Sequence, residues 1–143
     1  MIRGIVSGYF NPLHQGHLEY IHAAKVECDY LIVIVNNDIQ VKLKGSTPFM
    51  DEDHRCCIIQ ALRDVDEVMI AIDEDKTVCH SLAQIKKCYP KDDLEFYNSG
   101  DRAPVANAES AEMEICLKNG IKYVAIPLPK VYSSSTLLAG LSK

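Results

Sequence analysis

Apolar positions along the chain cluster into short runs separated by stretches of mixed polarity. Ile2–Ser7 is a brief apolar run that ends at Gly8, and Tyr30–Val35 (Tyr-Leu-Ile-Val-Ile-Val) is almost wholly apolar and β-branched. A run without polar alternation suits a strand covered on both faces, as in a parallel sheet. Glu67–Ile72, Leu94–Tyr97 and Lys122–Ile126 read as three further strands. Between them the period changes. Leu18, Ile21 and Ala24 share one face of a helix beginning near Gly16, and Asp51 is placed to cap a helix that runs through Ile58, Ile59 and Leu62. A third helix spans about Thr77 to Cys88 and stops at Tyr89-Pro90. A fourth covers Glu109–Lys118 and closes on Asn119-Gly120, and Ser133–Leu141 opens a last short one.

Strands alternating with helices require crossover connections, and these are right-handed. The expected architecture is an α/β, Rossmann-like, doubly wound five-stranded parallel sheet with helices on both faces, forming one domain over residues 1–143. Asn36–Met50 and Ser99–Asn107 are the least regular stretches. In open sheets of this kind ligands sit beyond the carboxyl ends of the strands, near the reversal of strand order. The polar clusters obey that rule: Gly8–His17, Asn36–Lys44, Asn98–Arg102 and Lys130–Thr136 each follow a strand.

Composition narrows the function classes. Hydrophobic residues make up 48% of the chain, enough for a real core, and the formal net charge of −5 disfavours a non-specific nucleic-acid binder. No apolar run approaches the roughly 20 residues that span a bilayer, and the N-terminus has no signal-peptide order, so a cytoplasmic protein without a membrane partner is expected. The six cysteines form no C-x-x-C pair and are expected to be buried, reduced thiols.

The chemistry is concentrated in Gly8-Tyr9-Phe10-Asn11-Pro12-Leu13-His14-Gln15-Gly16-His17. A glycine ends a strand, a turn follows, and two histidines flank a glycine where a helix begins. Helix N-termini present unbonded N–H groups and a positive partial charge, both suited to phosphates. Gly16 permits close approach to the backbone. His14 and His17, three residues apart, can point to one side and donate to phosphoryl oxygens. Phosphoryl-type transfer asks mainly for positioning and charge stabilisation. A capping turn with two incidental histidines explains the spacing as well, and a metal site from the same pair lacks an evident third ligand. Ser133, Ser134, Ser135 and Thr136 offer hydroxyls and N–H groups at a second helix start.

The histidine segment resembles the G-x-F-[DN]-x-x-H-x-G-H signature of the HxGH nucleotidylyltransferase superfamily, which includes glycerol-3-phosphate cytidylyltransferases, heptose 1-phosphate adenylyltransferases and phosphopantetheine adenylyltransferases. Further segments in the same order extend the resemblance over nearly the whole chain. Val35-Asn36-Asn37-Asp38 and Val41-Lys42-Leu43-Lys44-Gly45 are similar to the segment after the second strand of the heptose-type members. Asp51-Glu52-Asp53-His54-Arg55 with Val65-Asp66-Glu67-Val68 resembles their EER…VDEV stretch. Asn98-Ser99-Gly100-Asp101-Arg102 resembles G-G-D-[RYW], and Tyr132–Thr136 resembles [IV]-S-[ST]-[ST]. Two departures stand out. Lys130-Val131-Tyr132 precedes Ser133 where cytidylyltransferases carry R-T-x-G-I, and Gly45-Ser46-Thr47-Pro48 lacks the arginine before proline of the heptose type.

The resemblance implies transfer of CMP or AMP from CTP or ATP to a sugar phosphate or polyol phosphate, with release of pyrophosphate. Mg2+ would accompany the triphosphate, and relatives of this size are commonly homodimers. It implies that His14 and His17 contact the phosphates, with His17 favoured for the transition state. Lys44, or secondarily Lys42, would touch a phosphate or the transferring group. Arg55 would reach the acceptor phosphate or the triphosphate, unless it is a plain surface arginine. Gly8, Tyr9, Phe10 and Asn11 would line the nucleotide. Asp101 would lie near base or ribose, and Arg102 would hold a phosphate or support its loop. A flavin- or pantetheine-directed adenylyltransferase and a catalytically silent nucleotide sensor are the alternatives. A dinucleotide oxidoreductase is disfavoured because no G-x-G-x-x-G follows the first strand.

Overall fold

The computed structural model describes residues 1–99 and 106–126. Five strands form one parallel sheet: β1 (Ile2–Gly8), β2 (Tyr30–Val35), β3 (Glu67–Ile70), β4 (Asp93–Ser99) and β5 (Lys122–Ile126), in the order β3-β2-β1-β4-β5. The chain builds outward from β1 to β3, then crosses back to place β4 on the other side of β1. The reversal of strand order therefore falls between β1 and β4, and the chain leaving β1 enters the crevice where such sheets take ligands.

Among the described residues five helices connect the strands: α1 (Gln15–Val26), α2 (Asp38–Leu43), α3 (Glu52–Gln60), α4 (Cys79–Cys88) and α5 (Ala106–Lys118). Alternation along the strands divides the core in two. Ile5, Ile32 and Ile34 face one layer, where they pack with Val78, Leu82, Ile85 and Cys116 of the α4–α5 side. Val6, Leu31, Val33 and Val35 face the other and meet Ile21, Ala24 and Ile59 of α1 and α3. The doubly wound sheet with helices on both faces is thus as the periodicity predicts. The unbroken apolar run of β2 follows from its burial on both sides.

Asp51 does cap α3, its Oδ1 accepting from the His54 N–H at 2.8 Å. Some details differ from the sequence reading, and α3 ends at Gln60, short of Leu62. β3 stops at Ile70, leaving Ile72 exposed, and α5 begins three residues earlier than expected. The stretch read as irregular after β2 contains α2, whose Asn37 cap accepts from the Gln40 N–H. The cysteines are also less buried than expected. All six are unbonded thiols, but only Cys116 is buried and Cys57 and Cys88 are exposed. No described helix is long and apolar enough to cross a membrane. The expected helix at Ser133–Leu141 lies outside the described residues.

Candidate active site

The turn after β1 is shaped by a glycine. Phe10 takes a left-handed backbone, φ 50°, and folds its buried ring back under Gly8. A Cβ on Gly8 would stand 2.7 Å from that ring, so no other residue fits without displacing Phe10. The Phe10 ring in turn meets the His17 imidazole edge-on, with centroids 5.0 Å apart.

His14 is the N-cap of α1. Its Nδ1 accepts from the Gly16 N–H at 3.1 Å, and the His17 Nδ1 accepts from the His14 N–H at 3.1 Å. This is the reciprocal logic of a capping box, with imidazoles in place of hydroxyl and carboxylate. It fixes the tautomers. A backbone N–H can only donate, so each Nδ1 is unprotonated and each neutral ring carries its proton on Nε2. The two rings stack 3.8 Å apart at 25°. Burial pushes the His14 pKa below 6.5 and drives that of His17 down to about 3, where the neighbouring His14 and Lys44 also resist a second positive charge. At neutral pH the turn therefore presents two uncharged Nε2–H donors.

Lys44 lies at the C-cap of α2, its Nζ 4.4 Å from the centroid of the Tyr9 ring, and its charge is felt at His17. His14, His17, Lys44, Tyr9 and Phe10 thus come together. Lys42 is exposed on the last turn of α2. The Asn11 side chain ties two segments together. It donates to the Thr47 carbonyl and accepts from the Phe49 N–H, fastening the segment after α2 to the turn after β1. The N–H of Gly16 is committed to His14.

Arg55 corrects the sequence reading. It is neither a surface arginine nor a group that reaches an acceptor phosphate, because its side chain is fully buried. Nε donates to the Met50 carbonyl, Nη1 to the carbonyls of Tyr9 and Asn36, and Nη2 to Asp38 Oδ1 at 2.7 Å. Asp38 and Glu52, to which the sequence reading assigned no role of their own, complete this knot. The Asp38 N–H donates to Glu52 Oε1 and the Glu52 N–H to Asp38 Oδ2, so α2 and α3 cap each other. Asn37 and Gln40 extend it, binding the carbonyls of Ala71, Asp73, Asp75 and Thr77. The Asn37-x-x-Gln40 spacing of a capping box was the available signal for α2.

The model of the cytidylyltransferase-like family matches residues 5–136. The chain belongs to that family. It is 40% identical over 138 residues to the bifunctional protein HldE of Rhodopseudomonas palustris, covering 95% of this chain and 26% of the relative. It is 31% identical over 87 residues to the FAD synthase of Thermoplasma acidophilum, covering 59% of this chain and 61% of the relative. The chain thus spans about a quarter of the length of that HldE protein. Among solved structures it superimposes on the lipopolysaccharide core biosynthesis protein of Thermoplasma volcanium with a TM-score of 0.68 and 28% identity, covering 91% and 99% of the two chains. The bifunctional NMN adenylyltransferase/ADP ribose pyrophosphatase of Francisella tularensis, at 13% identity and a TM-score of 0.68, shares the fold.

For this cytidylyltransferase-like chain, Asp101, Arg102, Ser133, Ser134, Ser135 and Thr136 lie outside the described residues. Asn98 lies near the end of β4, and its Nδ2 donates to the Tyr123 hydroxyl. The described side chains at the histidine turn offer N–H donors and an ammonium, a set that receives anionic oxygen and does not ligate a hard cation. No group of three or more His, Cys, Asp or Glu among the described residues is arranged to hold a metal.

Proposed function

We propose that the chain transfers CMP or AMP from CTP or ATP to a sugar phosphate or polyol phosphate. An oxygen of the acceptor phosphate attacks the α-phosphorus in line. The bond from that phosphorus to its β-bridging oxygen breaks, and pyrophosphate leaves with the electron pair. A phosphate oxygen is already ionised at neutral pH, so the step needs no general base. The carrying observation is the pair of stacked, neutral imidazoles at the α1 N-terminus, each with Nδ1 occupied by backbone and Nε2–H left to donate. Preorganised donors of this kind act on the charge that develops at the phosphoryl oxygens. The Lys44 ammonium adds a positive charge beside them. Magnesium enters on the oxygens of the triphosphate, as part of the substrate, because the described side chains supply it no ligand set.

A second reading is adenylyl transfer to a flavin mononucleotide, supported by the likeness to several proteins named FAD synthase. A pyrophosphate-release screen crossing four triphosphates with sugar phosphates, polyol phosphates and flavin mononucleotide separates the two. His17→Ala is expected to lower kcat by on the order of 10²-fold with the true substrate pair, as loss of one transition-state donor does elsewhere. Near-normal turnover in that variant refutes the assignment.

A further inference from the structure

Arg55 heads the fully buried side chains by size among the described residues, and each of its described partners belongs to a segment that borders the histidine turn. A buried charge is costly to desolvate, and replacing a buried ion pair by apolar residues is often neutral or stabilising. Bulk stability therefore gives little reason for a guanidinium at this place. Its geometry gives a better one. The planar fork reaches the Tyr9 carbonyl after β1, the Asn36 carbonyl at the end of β2, the Met50 carbonyl before α3, and Asp38 on the first turn of α2. No other side chain offers that many donors in fixed directions.

The element this fork restrains is α2. Its six residues are too few to hold a helix unaided. It is held at its N-terminus by the Arg55–Asp38 pair and the exchange of caps with Glu52, and along its inner side by the amides of Asn37 and Gln40; its C-cap is Lys44. A helix of this length spans only about 9 Å, so the anchoring of Asp38 bears directly on the place of Lys44. The same guanidinium holds the Tyr9 carbonyl, and the Tyr9 ring lies beneath the Lys44 ammonium. Both members of the Lys44–Tyr9 contact are thus referred to one buried group.

We propose that Arg55 is a positioning residue: through Asp38 and the Tyr9 carbonyl it fixes the Lys44 ammonium over the Tyr9 ring beside the two histidines, and so sets where Lys44 meets the transferring group. The inference rests on the reading of this turn as a nucleotidyl-transfer site. A displacement of about 1 Å can cost on the order of 10²-fold in rate, so a fork that holds Lys44 in register is worth its buried charge.

The test is a double-mutant cycle in the full chain, using Arg55→Gln, Asp38→Asn and Lys44→Ala, with pyrophosphate release as the readout. If Arg55 acts through Lys44, Arg55→Gln and Asp38→Asn reproduce the kcat and KM split of Lys44→Ala. Each double variant then loses no more than Lys44→Ala alone. Arg55→Lys, which keeps the charge but not the fork, fails to restore the rate. Effects that multiply in the doubles overturn the proposal. The second readout needs no turnover. The Lys44 ε-methylene protons, shielded by the Tyr9 ring, resonate upfield in the wild-type NMR spectrum and move to the ordinary lysine position in Arg55→Gln and Asp38→Asn. Upfield resonances retained in both variants, or in Asp38→Asn should Arg55→Gln not fold, overturn it as well. A wild-type chain that turns over no substrate pair defeats the transfer reading, and the NMR result still decides the role of Arg55.

Discussion

His17 uses Nδ1 for the helix cap and keeps Nε2–H for whatever docks at the turn. The two uses can be separated. Glutamine at this third helical position can accept the His14 N–H through its side-chain oxygen, as in an ordinary capping box, but it does not titrate. His17→Gln is expected to fold and to lose turnover, which steady-state kinetics and circular dichroism check together. It is also expected to change the acid limb of stability. The unfolded chain protonates His17 near 6.5, whereas the folded one resists until about pH 3. Between those values the unfolded state binds the extra proton, so this contribution is complete above pH 6.5 and is lost as pH falls toward 3. His14, shifted in the same direction, acts with the same sign. Urea midpoints measured from pH 7 to pH 4 are expected to fall less steeply in His17→Gln than in wild type. Parallel curves contradict the buried neutral state of this ring.

The turn between β1 and α1 depends on Gly8 yielding its side-chain volume to Phe10. Gly8→Ala pushes the Phe10 ring toward His17, and overpacking of this kind costs about 1–3 kcal/mol. The expected outcome is a lowered denaturation midpoint together with a lower kcat. A loss of stability with full activity would detach Phe10 from the histidine geometry. The same element shows what the sequence discloses. The strands were legible because both faces of the sheet are covered and their apolar runs are continuous. The histidine turn was legible because cap, glycine and imidazoles are neighbours in sequence. α2 was missed because it is short and held by tertiary partners. Its Asn37 and Gln40 spend their amides on carbonyls 34 to 37 residues away. Arg55 was misread for a related reason. Three of its four acceptors are main-chain carbonyls, which no residue type advertises.

Over the whole molecule the net charge is −5, yet the groups gathered at the turn are donors and a cation. On the proposed reading, attraction for a polyphosphate is local and depends on close contact more than on a long-range field. Binding to the folded state alone raises stability by mass action, by about 2.7 kcal/mol at a ligand concentration 100 times Kd. A thermal-unfolding panel with ATP, CTP, GTP and UTP, each with magnesium, is expected to show a clear upward shift in Tm for the true donor. The shift is expected to shrink in His14→Ala. Equal shifts for all four, or none, argue against a nucleotide site at this end of the sheet.

Asp38 and Glu52 cap one another's helices from opposite ends of the intervening chain, and the Met50 carbonyl is tied to Arg55. The residues from Gly45 to Phe49 therefore run between two fixed posts. Closing a longer span between such posts adds little entropic cost, since the penalty grows only with the logarithm of length. The Asn11 side chain pins Thr47 and Phe49 between those posts, so a change of length there is tolerated only where it leaves both contacts in place.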